Sequence, residues 1–188
     1  MGRWQPNARG RLEEAALDLY TERGFDQTTV AEIAERAGLT ERTFFRHFAD
    51  KREVLFGGQD ALLELFVTTI AEAPDSVAPL DAVAAALEAS APVFADRHRQ
   101  ARRRQAVIAA NPGLHERELS KLAAMASAMA DALRARGVGE TAAKLIAEAG
   151  VAVFRVAFER WATEEHPDDL ARYIREAVDE LKEITAAG

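Results

Sequence analysis

The stretch TTVAEIAERAGLTERTFFRHF, residues 28–48, constrains the fold more than any other part of the chain. It holds two short helical patterns separated by one glycine, and each has its own start signal. Thr29 followed by Glu32 is a capping box: the hydroxyl serves a free backbone N–H of the first turn, and the carboxylate reaches back to the cap. Thr40 can cap the second helix in the same way. Ala34 is small where a following helix must cross closely, and Gly38 stands where the chain must turn sharply. Ile33, Leu39, Phe44 and Phe48 then face inward across the corner, the two phenylalanines one turn apart. This is a helix-turn-helix pattern.

The opposite face carries Arg42, Thr43, Arg46 and His47, with Phe45 at its edge. The formal net charge of the 188 residues is −7, which at first argues against a polyanionic partner. Local distribution matters more, because screening limits exposed charges to about 10 Å of reach. Between Arg42 and Arg52, the cations Arg42, Arg46, Lys51 and Arg52 face Asp50 alone. In a helix-turn-helix the second helix enters the major groove and its first residues meet base edges. Arg42 can give two donors to guanine, Thr43 suits a base edge or a thymine methyl, and Arg46 and His47 lie where the groove wall is phosphate. Spacing alone leaves plain structural helices open as the other reading, since short helix pairs with a glycine turn also occur away from DNA.

The remaining chain reads as helices between short joints. An apolar face runs through Leu12, Ala15, Ala16, Leu19 and Tyr20, closed by Gly24. Asp50 and Glu53 look like a further capping box, opening one long helix through Val54, Leu55, Leu62, Leu63, Phe66 and Ile70. Pro112 and Pro167 suit first helical turns, and Pro92 should interrupt a helix near Ser90. No alternating strand pattern occurs, so the expectation is an all-α fold of about nine helices. There is no cysteine, which excludes disulfides and thiolate chemistry. The beginning of the chain lacks an apolar leader, and no run approaches about 18 apolar residues, so a soluble, cytoplasmic protein without membrane contact is expected. The histidines are scattered, and no phosphate loop or nucleophile elbow is present, so neither an enzyme nor a metal or other cofactor is expected. An all-helical protein-interaction adaptor without specific DNA binding is the alternative.

The run TTVAEIAERAGLTERTFFRHFADKREVLF, Thr28–Phe56, preceded by LYTERGF, resembles the tetracycline-repressor (TetR) family of bacterial regulators. The resemblance implies a helix-turn-helix DNA-binding domain with an N-terminal arm over residues 1–52. A larger helical ligand-binding and dimerisation domain would then occupy 53–188. It implies a homodimer that represses double-stranded operator DNA and is released by a small-molecule effector. By position, Thr40, Arg42 and Thr43 become base contacts. Thr29, His47 and Lys51 become phosphate contacts, joined by Arg46. Phe45 is counted with them, although many members carry tyrosine there and only its ring is left to press on the backbone. Arg3, Arg9 and Arg11 in the arm are candidates for the minor groove or a phosphate.

Beyond residue 75 the readings are broader. The last two helical patterns are apolar over much of their surface, which suggests one partner in the core and another in a second subunit. Val153, Trp161, Tyr173, Ile174 and Leu181 are the candidate dimer residues. Phe94, Met125, Met129, Phe154 and Phe158 are candidate effector-pocket residues, with Arg102 or Arg103 as an anchor for an acidic effector; core packing and a solvated charge run are the plainer readings.

Overall fold

A computed structural model describes residues 7–165 and 167–186. Among these residues the regular structure is helical throughout. The elements are α1 (Ala8–Arg23), α2 (Val30–Arg36), α3 (Glu41–His47), a 3-10 turn (Glu53–Phe56), α4 (Gln59–Glu72), α5 (Pro79–Ala89), α6 (Ala91–Phe94), α7 (His98–Ala109), α8 (Pro112–Ala135), α9 (Glu140–Thr163) and α10 (Leu170–Ala186). With the four-residue α6 set aside, nine α-helices remain. The chain forms two compact units, one of residues 1–58 and 102–118, the other of 59–101 and 119–188.

In the first unit, the Asn7 side chain accepts the Gly10 N–H to start α1, and Gly24 at φ 86° ends it. The core gathers Leu12, Ala16, Leu19 and Tyr20 from α1, Ile33 from α2, and Phe44 with Phe48 from α3 and its cap. Val107, Ile108 and Leu114 join them from the end of α7 and the start of α8. Burying each large apolar side chain contributes about 1.5–3 kcal/mol, so this corner is an integral part of the unit.

The single long helix expected from Asp50 does not form. Asp50 does accept the backbone N–H groups of Arg52 and Glu53, at 2.7 and 3.1 Å. The cap opens only the 3-10 turn, and Gly57 and Gly58, the latter at φ 90°, break the chain before α4. The physical reason lies in Val54, Leu55 and Phe56, three consecutive side chains that are all buried. A tight turn can present all three to one core; one face of an α-helix cannot. Pro112 opens α8 as expected, and the helix breaks at Ser90 ahead of Pro92 as expected; Pro167 does not open α10 but lies three residues ahead of it.

The second unit packs α4, α5, α9 and α10 around Phe66, Ile70, Val83, Leu87, Met129 and Phe154. Gly150 permits the α5–α9 crossing, since a Cβ there would sit 2.5 Å from Val83 Cγ1. The stretch Glu53–Glu72 is long and apolar enough to cross a membrane by length and composition alone. Leu62, Phe66 and Ile70 within it are buried in this core, which accounts for its apolar character.

Candidate nucleic-acid interface

The candidate surface is built by local signals. Thr29 Oγ1 accepts the Glu32 N–H at 3.3 Å, while the Glu32 carboxylate accepts the Thr29 N–H and hydroxyl, both at 2.9 Å. The backbone and hydroxyl bonds from Thr29, with Arg23 alongside, hold the Glu32 carboxyl below the usual carboxylate range. At the other end of α2, Leu39 N–H reaches Ala34 O and Gly38 N–H reaches Glu35 O, at 2.8 and 2.9 Å. These two bonds form a Schellman motif. Gly38 occupies its left-handed position at φ 63°, and a Cβ there would approach Arg11 Nη2 to 2.9 Å. Arg11 itself donates to Ala37 O and so ties α1 to the turn.

Thr40 caps α3 by accepting the Thr43 N–H at 3.2 Å, and the two threonine hydroxyls lie 3.1 Å apart. Phe44 is completely buried and Phe48 nearly so, which fixes the rotation of the helix. Arg42, Phe45 and Arg46 are consequently exposed, with Thr40 exposed and Thr43 half-buried beside them. Among the described residues, neither Arg42 nor Arg46 has an ion-pair or hydrogen-bond partner. The arginines around them differ: Arg23 pairs with Glu32, Arg36 with Glu22, Arg52 with Asp50, and Arg103 with both Glu14 and Asp18. Two unspent guanidinium groups therefore share one face of a rigidly seated helix.

Other expected contacts sit differently. Lys51 does not open a helix. Its Nζ lies 4.5 Å over the Phe25 ring and donates to Phe25 O, Thr28 O and Asp26 O at 2.9, 2.9 and 3.3 Å. Three donors are spent on the loop that presents Thr29. Tyr20 adds a 2.6 Å bond from its hydroxyl to Lys51 O, and burial, aided by Asp50, pushes that hydroxyl well above its ordinary pKa. The His47 Nε2 is covered and makes no hydrogen bond, so this nitrogen meets a phosphate only if the ring turns. Arg9 pairs with Glu13 and lies over Phe48, and Arg3 lies outside the described residues.

In the second unit, Phe94, Phe154 and Phe158 do come together, with Trp161 and Phe66 completing an aromatic cluster. Met125 and Met129 are buried in the same core. Neither anchor candidate joins them: Arg102 is exposed, Arg103 is spent on Glu14 and Asp18, and both belong to the other unit. Of the candidate dimer residues, Val153, Trp161 and Ile174 are buried within the chain, the Trp161 indole donating to Asp168 O at 3.1 Å, while Tyr173 is half-buried beneath Arg160. Val153 and Leu181 line an open groove between α9 and α10, where Val156 and Ile184 are exposed.

Two family profiles match different stretches of the chain, the second of them spanning residues of both units. The profile of bacterial regulatory proteins of the tetR family matches residues 12–57, and that of the MftR C-terminal domain matches 77–186, more than half of the chain. The regulator TcmR of Streptomyces glaucescens is 40% identical over 81 residues, covering 43% of this chain and 36% of its own length. MftR of Mycobacterium tuberculosis, named for the regulation of mycofactocin biosynthesis, is 25% identical over 168 residues, 88% of this chain and 85% of its own. A triclosan complex of SmeT, a repressor from Stenotrophomonas maltophilia, superposes with a TM-score of 0.65 at 22% identity, covering 92% of this chain and 88% of that one. The last of these is a likeness of fold.

Proposed function

Because the chain belongs to the tetR family of bacterial regulatory proteins, we propose that it is a cytoplasmic, homodimeric repressor that holds operator DNA with α3 and releases it when a small-molecule effector enters the second unit. The observation that carries the reading is the pair of unpartnered arginines, Arg42 and Arg46, on the exposed face of α3. Arg42, Thr40 and Thr43 read base edges. Arg46, Thr29 and His47 meet phosphate, and Lys51 serves by holding the loop before Thr29. Phe45 contributes its ring and no hydrogen bond.

Dimerisation uses the α9–α10 groove. Val156 and Ile184 are exposed there between the polar side chains of Arg160, Glu176, Asp179 and Glu180, the apolar centre and charged rim of a protein interface. Two α3 helices about 34–36 Å apart then meet successive turns of one groove. The effector enters near the Phe94–Phe158 cluster; the triclosan in SmeT is an example of such a ligand in a protein of this fold.

The test is selection of fragmented genomic DNA on the purified protein, followed by footprinting and sedimentation of the complex. A palindromic footprint bound by two chains is expected. Binding that ignores sequence, or one chain per site, contradicts the reading.

A further inference from the structure

In the first unit, Phe45 is the one large apolar side chain left exposed among the described residues, with 55% of its surface accessible. Its neighbours on α3 make this unusual. Phe44 is wholly buried, and Arg42 and Arg46 are free cations. The exposed ring is not loose: it packs edge-on against Phe44, with centroids 5.5 Å apart and planes at 83°. Phe45 follows Arg42 by three positions, so the two side chains are neighbours on the helix surface. Wherever Arg42 meets the duplex, an oriented apolar ring arrives beside it. The ring has no group that can bond a phosphate or a base acceptor. Within the major groove, the one apolar group that distinguishes a base is the thymine methyl.

We propose that Phe45 is a specificity-determining residue that recognises a thymine methyl group in each operator half-site; this rests on the DNA-reading role given to α3 above. The contact is apolar and requires no water or ion. It selects thymine over cytosine at one position next to the base pair read by Arg42. The deoxyribose edge also offers C–H groups to a ring, but these are the same at every nucleotide and confer no preference.

The experiment uses the full-length protein and the tightest-binding duplex recovered from genomic fragments. Each thymine of the half-site is replaced in turn by deoxyuridine, which deletes only the methyl. For the wild-type protein, one replacement per half-site weakens binding about threefold to fivefold, the loss that accompanies one methyl group returned to water. Phe45→Ala binds the thymine and deoxyuridine duplexes equally, with circular dichroism and thermal melting unchanged; Phe45→Tyr keeps the preference. Equal binding of every deoxyuridine duplex by the wild type overturns the proposal and leaves DNA reading intact. So does a preference that survives Phe45→Ala. Recovery of no specific duplex overturns the DNA-reading role, and this proposal with it.

Discussion

Two arginine-rich helices, α3 and α7, look alike in the sequence and do opposite things. In α7, Arg103 reaches Glu14 and Asp18 at 3.0 and 2.6 Å, and Arg104 donates to Leu55 O at 2.6 Å and Glu118 at 2.9 Å while lying over the Phe56 ring. Burial depresses the Arg104 pKa and Glu118 opposes that shift. These cations are consumed inside the first unit. In α3, a buried phenylalanine pair turns Arg42 and Arg46 outward and nothing in the described chain answers them. Charge density alone does not mark a binding surface, since Arg99 and Arg102 of α7 are exposed and, among the described residues, unpartnered as well; α3 differs in that the buried Phe44 and Phe48 fix the direction of its free cations.

The comparison breaks most readily at Arg104. Arg104→Met strands Glu118 and the Leu55 carbonyl, so the first unit loses about 3 kcal/mol of stability, measured by urea denaturation. Arg42→Ala, by contrast, shifts the same midpoint by less than about 0.5 kcal/mol. If the two substitutions destabilise equally, the division between spent and free arginines fails. On DNA the ranking reverses: Arg42→Ala lowers affinity by about 1–3 kcal/mol per half-site, the worth of a bidentate base contact, in a titration of the selected duplex.

The turn between the paired helices gives a smaller effect. Gly38→Ala forces a left-handed residue and crowds Arg11, costing about 1–2 kcal/mol, read from thermal melting. The smallest effect is at the α2 cap. Thr29→Ala costs about 1 kcal/mol near neutral pH. The Glu32 carboxyl has a lowered pKa in the folded state, because Thr29 bonds its charged form. Its contribution is therefore present above the unfolded carboxyl pKa and lost as pH falls through the lower folded value. The gap between wild type and variant should narrow below about pH 4; a gap independent of pH contradicts that coupling.

The sequence made the reading corner legible because its determinants are local. Thr29, Glu32, Gly38 and Thr40 each act within five residues, and the structure uses all four. Where determinants are distant, legibility ended. Lys51 is bound by carbonyls more than twenty residues away, so its sequence neighbourhood showed a cation without its direction. The Asp50–Glu53 signal was real, yet three consecutive buried residues and two glycines overrode helix continuation. The placement of 102–118 beside α1 had no precursor in DRHRQARRRQ, where a solvated face and a buried ion-pair network share one composition. Trp161 and Ile174 illustrate the same limit, since apolar periodicity does not tell a core face from a subunit face.

The most direct test is the salt dependence of operator binding for the wild type and Arg46→Ala. If the free guanidinium of α3 meets a phosphate in each half-site, the slope of log affinity against log salt becomes shallower by about 0.9 for each contact removed. An identical slope for the two proteins would contradict the claim that α3 lies against DNA through its unpaired arginines.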